Sequence, residues 1–312
     1  MRRAPPPEPE PEAKADAPTA LTKIADGVWF REGERDQGHC NNVIIELEDG
    51  LFVVDANFPS GAQLVMEDVK TVSDKPVKWV FDTHHHGDHA YGNPLWTKAG
   101  ATTLAYVGVA EEIKRYEPAG WLGAAQARPD VAALNLPTLE PPQQTFTETP
   151  HVVEDGKRRI ELHHFGWAHT RGDGFVYLPN EKILATGDAA TNGPYNFTGH
   201  GNTGSWPNVL ARALELDFDK VLPGHGPAGG REVVEGEKAF MEFLNSAVDE
   251  AVKAGKKLED VITVEEGRGV ATTIEAPERV ANWVGPNFAE QLRVRWEEVK
   301  QGKPYGMIMG GE

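Results

Sequence analysis

The chain has one cysteine, Cys40, so no intrachain disulfide framework exists and packing alone must hold the fold together. Cys40 stands beside apolar Val43, Ile44 and Ile45, far in sequence from the histidine-rich stretch described below. It reads as a small buried residue rather than a nucleophile or a metal ligand. Long apolar runs are also missing. Nothing approaches the ~18 consecutive apolar residues a membrane-spanning helix needs. The opening Met1-Arg2-Arg3-Ala4-Pro5 has no apolar core of a secretion signal, and the compartment stays open between cytoplasmic and exported. Positive charge is scarce: Lys and Arg number 31 against 48 Asp and Glu, a net charge of −17. That excludes the basic footprint that displaces counterions from nucleic acid, and it opposes docking on anionic membranes. The expected partner is a small-molecule substrate, and most of the acidity serves solubility.

What is present is an ordinary globular composition, 39% hydrophobic and 25% charged over 312 residues, which suits one catalytic domain with appended segments. Residues 1–20 are rich in Pro, Glu and Ala and cannot bury enough apolar surface to fold, so they are expected to be a disordered tail. From Leu21 the pattern turns to β. Strands are expected at 27–30, 42–47 and 51–55, a helix at 61–73, and a strand at 77–81 that closes a βαβ unit. A short helix at 94–98 and a strand at 102–105 follow. Residues 108–142 read as a long irregular loop with one short helix near 109–116, placed as a lid or as plain loop. Strand patterns return at 145–149, 151–154, 159–166, 174–178 and 182–186. A helix at 207–216 and a strand at 220–223 come next, then amphipathic helices at 231–256 and 287–300.

The chemistry concentrates in one stretch. Four of the eleven histidines fall between positions 84 and 89, in Asp82-Thr83-His84-His85-His86-Gly87-Asp88-His89, directly after the apolar 77–81 run. Open sheets place their chemistry on loops leaving the carboxyl ends of strands. Transition metals need imidazole and carboxylate donors converging at about 2.0–2.2 Å. His84 and His86, two apart on an extended loop, can share one ion, while Asp88 and His89 across the turn face a second. Further ligand types recur at strand ends: His169 in Ala168-His169-Thr170-Arg171-Gly172-Asp173, Asp188 after Gly187, and His225 in Pro223-Gly224-His225-Gly226.

Over roughly residues 24–230 these motifs resemble the metallo-β-lactamase superfamily. The resemblance implies an α+β fold, a four-layer αββα sandwich, with a catalytic domain over 21–230 and a C-terminal helical extension, 231–312, packed on it. It implies that His84, His86 and His169 hold one metal, that Asp88, His89 and His225 hold the other, and that Asp188 bridges them. Asp55 matches a family aspartate that orients ligands from behind. The implied cofactor is a pair of zinc ions, with iron or manganese also suited to these donors.

Departures from known branches narrow the reading. Where β-lactamases with a zinc-bound cysteine carry that cysteine, this chain has Asp188. Where they place a drug-gripping lysine three residues on, it has Thr191. That argues against efficient β-lactam hydrolysis and resembles the glyoxalase II-type thioesterases and lactonases. Flavodiiron relatives carry Glu in place of the second histidine, so His86 points to hydrolysis. The expected function is a dinuclear hydrolase in which a metal-bridging hydroxide attacks an ester, lactone, thioester or amide, with Asp88 orienting it and relaying its proton. Weak β-lactamase, phosphodiesterase or sulfatase-type activity, and a non-catalytic metal-binding role, are the alternatives. Tyr195, Asn196, His200 and Asn202, after the bridging aspartate, either line the substrate pocket or form a surface loop of turn residues. Asn57, Phe58 and Tyr91 are similar candidates, and His163 and His164 are expected to be structural.

Overall fold

The β-rich opening folds as one side of a seven-stranded sheet. In the computed structural model, which describes residues 20–310, β1 (Leu21–Ala25), β2 (Val28–Arg31), β3 (Asn42–Glu46) and β4 (Leu51–Val54) form an antiparallel meander. The expected N-terminal tail lies outside the described residues, apart from Ala20. The chain then crosses through α1 (Pro59–Val72) to β5 (Val77–Asp82), which pairs parallel with β4. A single turn, α2 (Gly87–Ala90), and α3 (Asn93–Lys98) lead to β6 (Thr102–Tyr106). After α4 (Val107–Ala127) and α5 (Pro129–Ala132), β7 (Gln144–Phe146) completes the parallel side. The second sheet is an antiparallel run of β8 (His151–Glu154), β9 (Arg159–His163), β10 (Phe175–Leu178) and β11 (Ile183–Gly187). Past α6 (Trp206–Ala213), β12 (Lys220–Pro223) joins β11 in parallel.

Side chains alternate across a strand, so each strand serves two layers. Val43, Ile45, Phe52, Val54 and Phe81 face Ile160, Leu162, Val176 and Leu178 between the sheets. The intervening Ile44, Leu51, Val53 and Val80 face Ala62, Val65, Val69 and Trp96 of α1 and α3. Beyond the second sheet, Phe175, Tyr177, Leu184 and Val221 meet Trp206 and Leu210 of α6. The same core takes in Phe240 and Leu244 of α7 (Glu232–Lys253) and Leu292 of α8 (Phe288–Gln301). The result is the expected four-layer αββα sandwich, whose strands are apolar because both faces are buried. The C-terminal helices share one core with the second sheet.

Two stretches differ from the sequence reading. Residues 107–127 are one helix of 21 residues, where a loop with a short helix was expected. Gly and Pro in this stretch predict a break, but Val109, Ile113, Glu117 and Trp121 recur every four residues and are buried on one face. That stripe outweighs propensity. Pro118 sits on the exposed side, where the carbonyl it leaves unbonded is free to meet water. Between α7 and α8 the chain forms a hairpin, β13 (Ile262–Glu265) with β14 (Arg268–Thr272), and it ends in α9 (Tyr305–Gly310). Its register carries an irregularity between Thr263 and Val264, and its residues are mostly exposed, so strict alternation is lost.

Candidate metal centre

β5 is buried at its C-terminal end, where Val80, Phe81 and Asp82 enter the core and the backbone is released as a turn at 83–86. Thr83 N–H donates to Asp55 Oδ1 at 2.8 Å, which fixes the start of that turn. Asp55 itself holds φ +67°, a left-handed conformation uncommon for a non-glycine residue. Its carbonyl accepts from Asn42 Nδ2 at 2.7 Å, and its other carboxylate oxygen meets His89 Nδ1 at 2.8 Å. Strain of this kind persists where the surroundings over-determine it, and here the outcome is a fixed carboxylate behind His89. From the second sheet, β11 ends at Gly187 and presents Asp188, and β12 ends at Pro223 and presents His225. Gly224 is required between them: a Cβ there would collide with Asp188 Oδ1.

Seven side chains meet across the two sheet ends. His86 Nδ1 lies 3.0 Å from His84 Nε2 and 2.9 Å from His169 Nε2. Beside this triad, Asp88 Oδ2 lies 3.0 Å from His225 Nε2 and 3.5 Å from His89 Nε2. Asp188 sits between the groups, with Oδ1 3.3 Å from His89 Nε2 and Oδ2 3.4 Å from His225 and 3.8 Å from His169. In each of His84-His86-His169, Asp88-His89-His225 and His84-His89-Asp188 the donor atoms lie within 4.8 Å of one another.

The residues fit metal ions. The Phe197 carbonyl lies 2.8 Å from His169 Nδ1 and the Asp55 carboxylate 2.8 Å from His89 Nδ1, so each Nδ1 donates outward and each Nε2 faces the cluster, where a cation could take the place of a proton. His89 Nε2 and Asp188 Oδ1 are buried and hydrogen-bonded to nothing. Leaving such groups unpaired costs about 1–3 kcal/mol each, and a cation removes that cost. The field agrees. Burial keeps His84 and His86 well below the usual imidazole range, so they stay neutral donors. Burial pulls His225 down too, but Asp188 and Asp88 push it up to about 10. Burial opposes ionisation of Asp88 and Asp188, yet His89 and His225 hold both below the usual carboxylate range. A site that favours positive charge this strongly favours a divalent cation.

The other candidates separate. A cavity of about 410 Å³ opens over the cluster, and Tyr195 and His200 line it with Tyr91, Phe197 and Glu117. His200 Nδ1 is 2.8 Å from His86 Nε2. Asn196 points away from this cavity, buried against Glu237 (3.0 Å) and Gln291 (2.6 Å). Asn202 accepts from Ser205 N–H at 3.1 Å and serves a turn. His164 packs flat on Tyr106, and His163 meets Glu161. Asn57, at φ +63°, donates to Cys40 O and Asn42 Oδ1 and braces the strand ends. Cys40, remote in sequence, lies beside Asp55 and His89, fully buried, with burial pushing its thiol up to about 12. Glu117 and Glu237 escaped the sequence reading. Glu117 sits in the stretch taken for loop, and only the fold reveals that a carboxylate on α7 reaches a loop some 40 positions earlier.

Residues 35–225 match the family model of the metallo-beta-lactamase superfamily, and the chain belongs to that family. Among its relatives is 2,4-dinitroanisole O-demethylase subunit alpha from Nocardioides sp., 26% identical over 231 residues, which covers 73% of this chain and 65% of that protein. Metallo-beta-lactamase type 2 from Bacteroides fragilis is 28% identical over 115 residues, 35% of this chain and 45% of that protein. The chain thus spans less than two thirds of the length of these curated relatives. A solved metallo-beta-lactamase from Pontibacter korlensis superposes with a TM-score of 0.55 at 22% identity, over 71% of this chain and 98% of the other. One from Pseudomonas aeruginosa, in its mono-zinc form, gives 0.56 at 23%, over 73% and 96%. Identities this low establish the fold alone. Among the described residues, no helix is long and apolar enough to cross a membrane.

Proposed function

We propose that this protein is a dinuclear metal-dependent hydrolase of a small molecule with an ester, lactone, thioester or amide bond. The observation that carries this is the convergence of two donor triads on Asp188. His84, His86 and His169 would hold one ion, and Asp88, His89 and His225 the other, with Asp188 shared. Zinc is the ion proposed, and iron and manganese suit the same donors. Such a pair, when bound, brings the pKa of water down to about 7 and draws charge from a substrate oxygen. Asp88, ionised and within 3.0 Å of His225, orients the attacking water and takes up its proton.

The cavity supports a neutral substrate. Its walls include Tyr91, Tyr195 and Phe197, and Arg35 reaches only its rim, over the Tyr195 ring at 4.9 Å. Thr191 is buried and donates to Glu237 at 3.2 Å, so no side chain at that position grips a substrate carboxylate. This supports acyl substrates other than β-lactams and phosphodiesters. A second reading is favoured by the demethylase relative: hydrolytic cleavage of an activated aryl methyl ether, for which aromatic walls suit a flat ring. A partner subunit belongs to that reading, since the relative is named as one subunit.

The test is metal analysis of the purified protein with a panel of chromogenic esters, lactones, thioesters, β-lactams, phosphodiesters, sulfates and 2,4-dinitroanisole. The expected result is close to two equivalents of metal and turnover of acyl substrates, abolished by chelation. Trace metal only, or turnover that survives full chelation, overturns the proposal.

A further inference from the structure

α4 carries a carboxylate into the cavity that the metal donor set does not use. Glu117 lines the same cavity as Asp88, Asp188 and His225, yet it is only 4% exposed. It accepts a hydrogen bond from the Tyr91 hydroxyl, and Tyr91 follows the α2 turn that bears Asp88 and His89. Tyr91 is held from behind by Trp121 at 4.9 Å and Phe58 at 5.8 Å, so the pair is rigidly seated. The cavity wall beside the pair is Gly120. A Cβ there would lie 2.9 Å from Glu117 Oε2 and 3.1 Å from the Tyr91 oxygen, so glycine leaves room for the pair at the cavity wall. No arginine, lysine or histidine forms an ion pair with Glu117 among the described residues. A buried carboxyl without a cation partner is expensive to ionise, and a structural role would not need it to open into the cavity.

We propose that Glu117 is the acid that protonates the leaving group, a role that rests on the hydrolase reading above. In ester hydrolysis an oxygen from water bonds to the acyl carbon and the bond from that carbon to the leaving oxygen breaks, the electron pair going with the oxygen. The proton on Glu117 passes to that oxygen, giving a neutral alcohol. The proton shed by the attacking water, taken up first by Asp88, is then passed on to Glu117, so one water is consumed and no other reactant is needed. Burial pushes Glu117 up to about 7, with the Tyr91 hydroxyl pulling the other way, so the carboxyl holds a proton for much of its time near neutral pH.

The test compares Glu117→Gln with the wild type on two esters of one acid, one with an alkyl alcohol and one with nitrophenol as leaving group. General acids contribute about 10²- to 10⁴-fold, so the alkyl ester should slow by about that factor. The nitrophenyl ester, whose leaving group needs no proton, should be nearly unaffected. Metal content should equal that of the wild type, and the infrared difference between wild type and Glu117→Gln near pH 6 should show one protonated-carboxyl C=O band lost, over the bands of other buried carboxyls such as Glu237. An equal loss on both esters, no loss on the alkyl ester, loss of bound metal, or absence of that difference band overturns the proposal. Wild-type protein that turns over no acyl substrate overturns the hydrolase reading and this role with it. The difference band by itself still reports whether Glu117 carries a proton. Tyr91→Phe, which keeps the carboxyl, should retain the leaving-group profile, so a fold defect in the glutamine variant is distinguishable from loss of the acid.

Discussion

The two loops that flank the candidate metal centre are held in different ways. The 83–93 loop is anchored by what immediately surrounds it in its own sheet: β5 delivers it, Asp55 at the end of β4 bonds Thr83 and His89, and Gly92 N–H donates to Asn57 O at 2.7 Å. The 188–205 loop is pinned by helices that come much later in the chain. Glu237 on α7 accepts from Thr191 and Asn196, Gln291 on α8 donates to both oxygens of Asn196, and Glu298 accepts from Thr203 N–H at 3.0 Å. The Trp283 indole adds a bond to Thr191 O at 2.9 Å, and Tyr116 of α4 reaches Gly306 O at 2.7 Å. The first loop can supply four donor-type residues within six positions because its geometry is local. The second supplies Asp188 and the cavity wall, and its shape depends on the C-terminal helices.

The largest effect that would break this contrast comes from the donors themselves. His225→Ala and Asp88→Ala should each lose about one of the two expected metal equivalents, read by elemental analysis, and most turnover, while the fold survives by circular dichroism. Near-normal activity in either variant would remove the pair from the chemistry. Next comes the local anchor: Asp55→Ala should weaken metal binding by about 10- to 100-fold, measured by chelator competition. An unchanged affinity would mean that the left-handed conformation of Asp55 serves the backbone alone.

The remote anchor should act on stability. Glu237→Ala removes an acceptor from the Thr191 hydroxyl and the one from the Asn196 amide, and should cost about 1–3 kcal/mol in denaturant unfolding. Burial pushes Glu237 up from 4.5 to about 8, with Asn196 and Thr191 pulling the other way. The folded state therefore binds the proton more tightly than the unfolded state. The stability it contributes is complete below about pH 4.5 and is lost as pH rises toward about 8. Glu237→Gln should flatten that decline, and a slope equal to the wild type's would place the titration elsewhere. Smallest is Asn202→Ala, expected to cost about 0.5–1.5 kcal/mol through its turn bond, with kcat and KM unchanged. A large KM change would return Asn202 to the substrate wall.

The seven donor-type residues were legible in the sequence because each sits where an apolar strand pattern stops, and strand ends are local events. Asp55 was reached through the family resemblance, at the end of the Val53-Val54 run. Local pattern stopped short at Asn196 and Asn202, since a loop of Gly and Asn looks the same whether it faces a cavity or packs against a helix. It failed for 107–127, where Gly and Pro signal a break and only burial of every fourth residue against β6 and α2 keeps the helix whole, while 133–143 is irregular as expected. Cys40 was placed correctly in the core, and its position beside Asp55 and His89 was not legible, because β3 and β5 become neighbours of β4 only when the sheet forms.

By itself the sequence determined the strand and helix periodicities and put donor-type residues at strand ends, which follow from short-range patterns of apolar and polar residues, while the sandwich was implied by the family resemblance those motifs carry. The tertiary structure decided which donors face each other, which carboxylates stay ionised, and which residue of a long helix opens into the cavity. Those outcomes depend on desolvation and on distances between atoms more than a hundred positions apart, such as Asp88 and His225, and no local pattern encodes them.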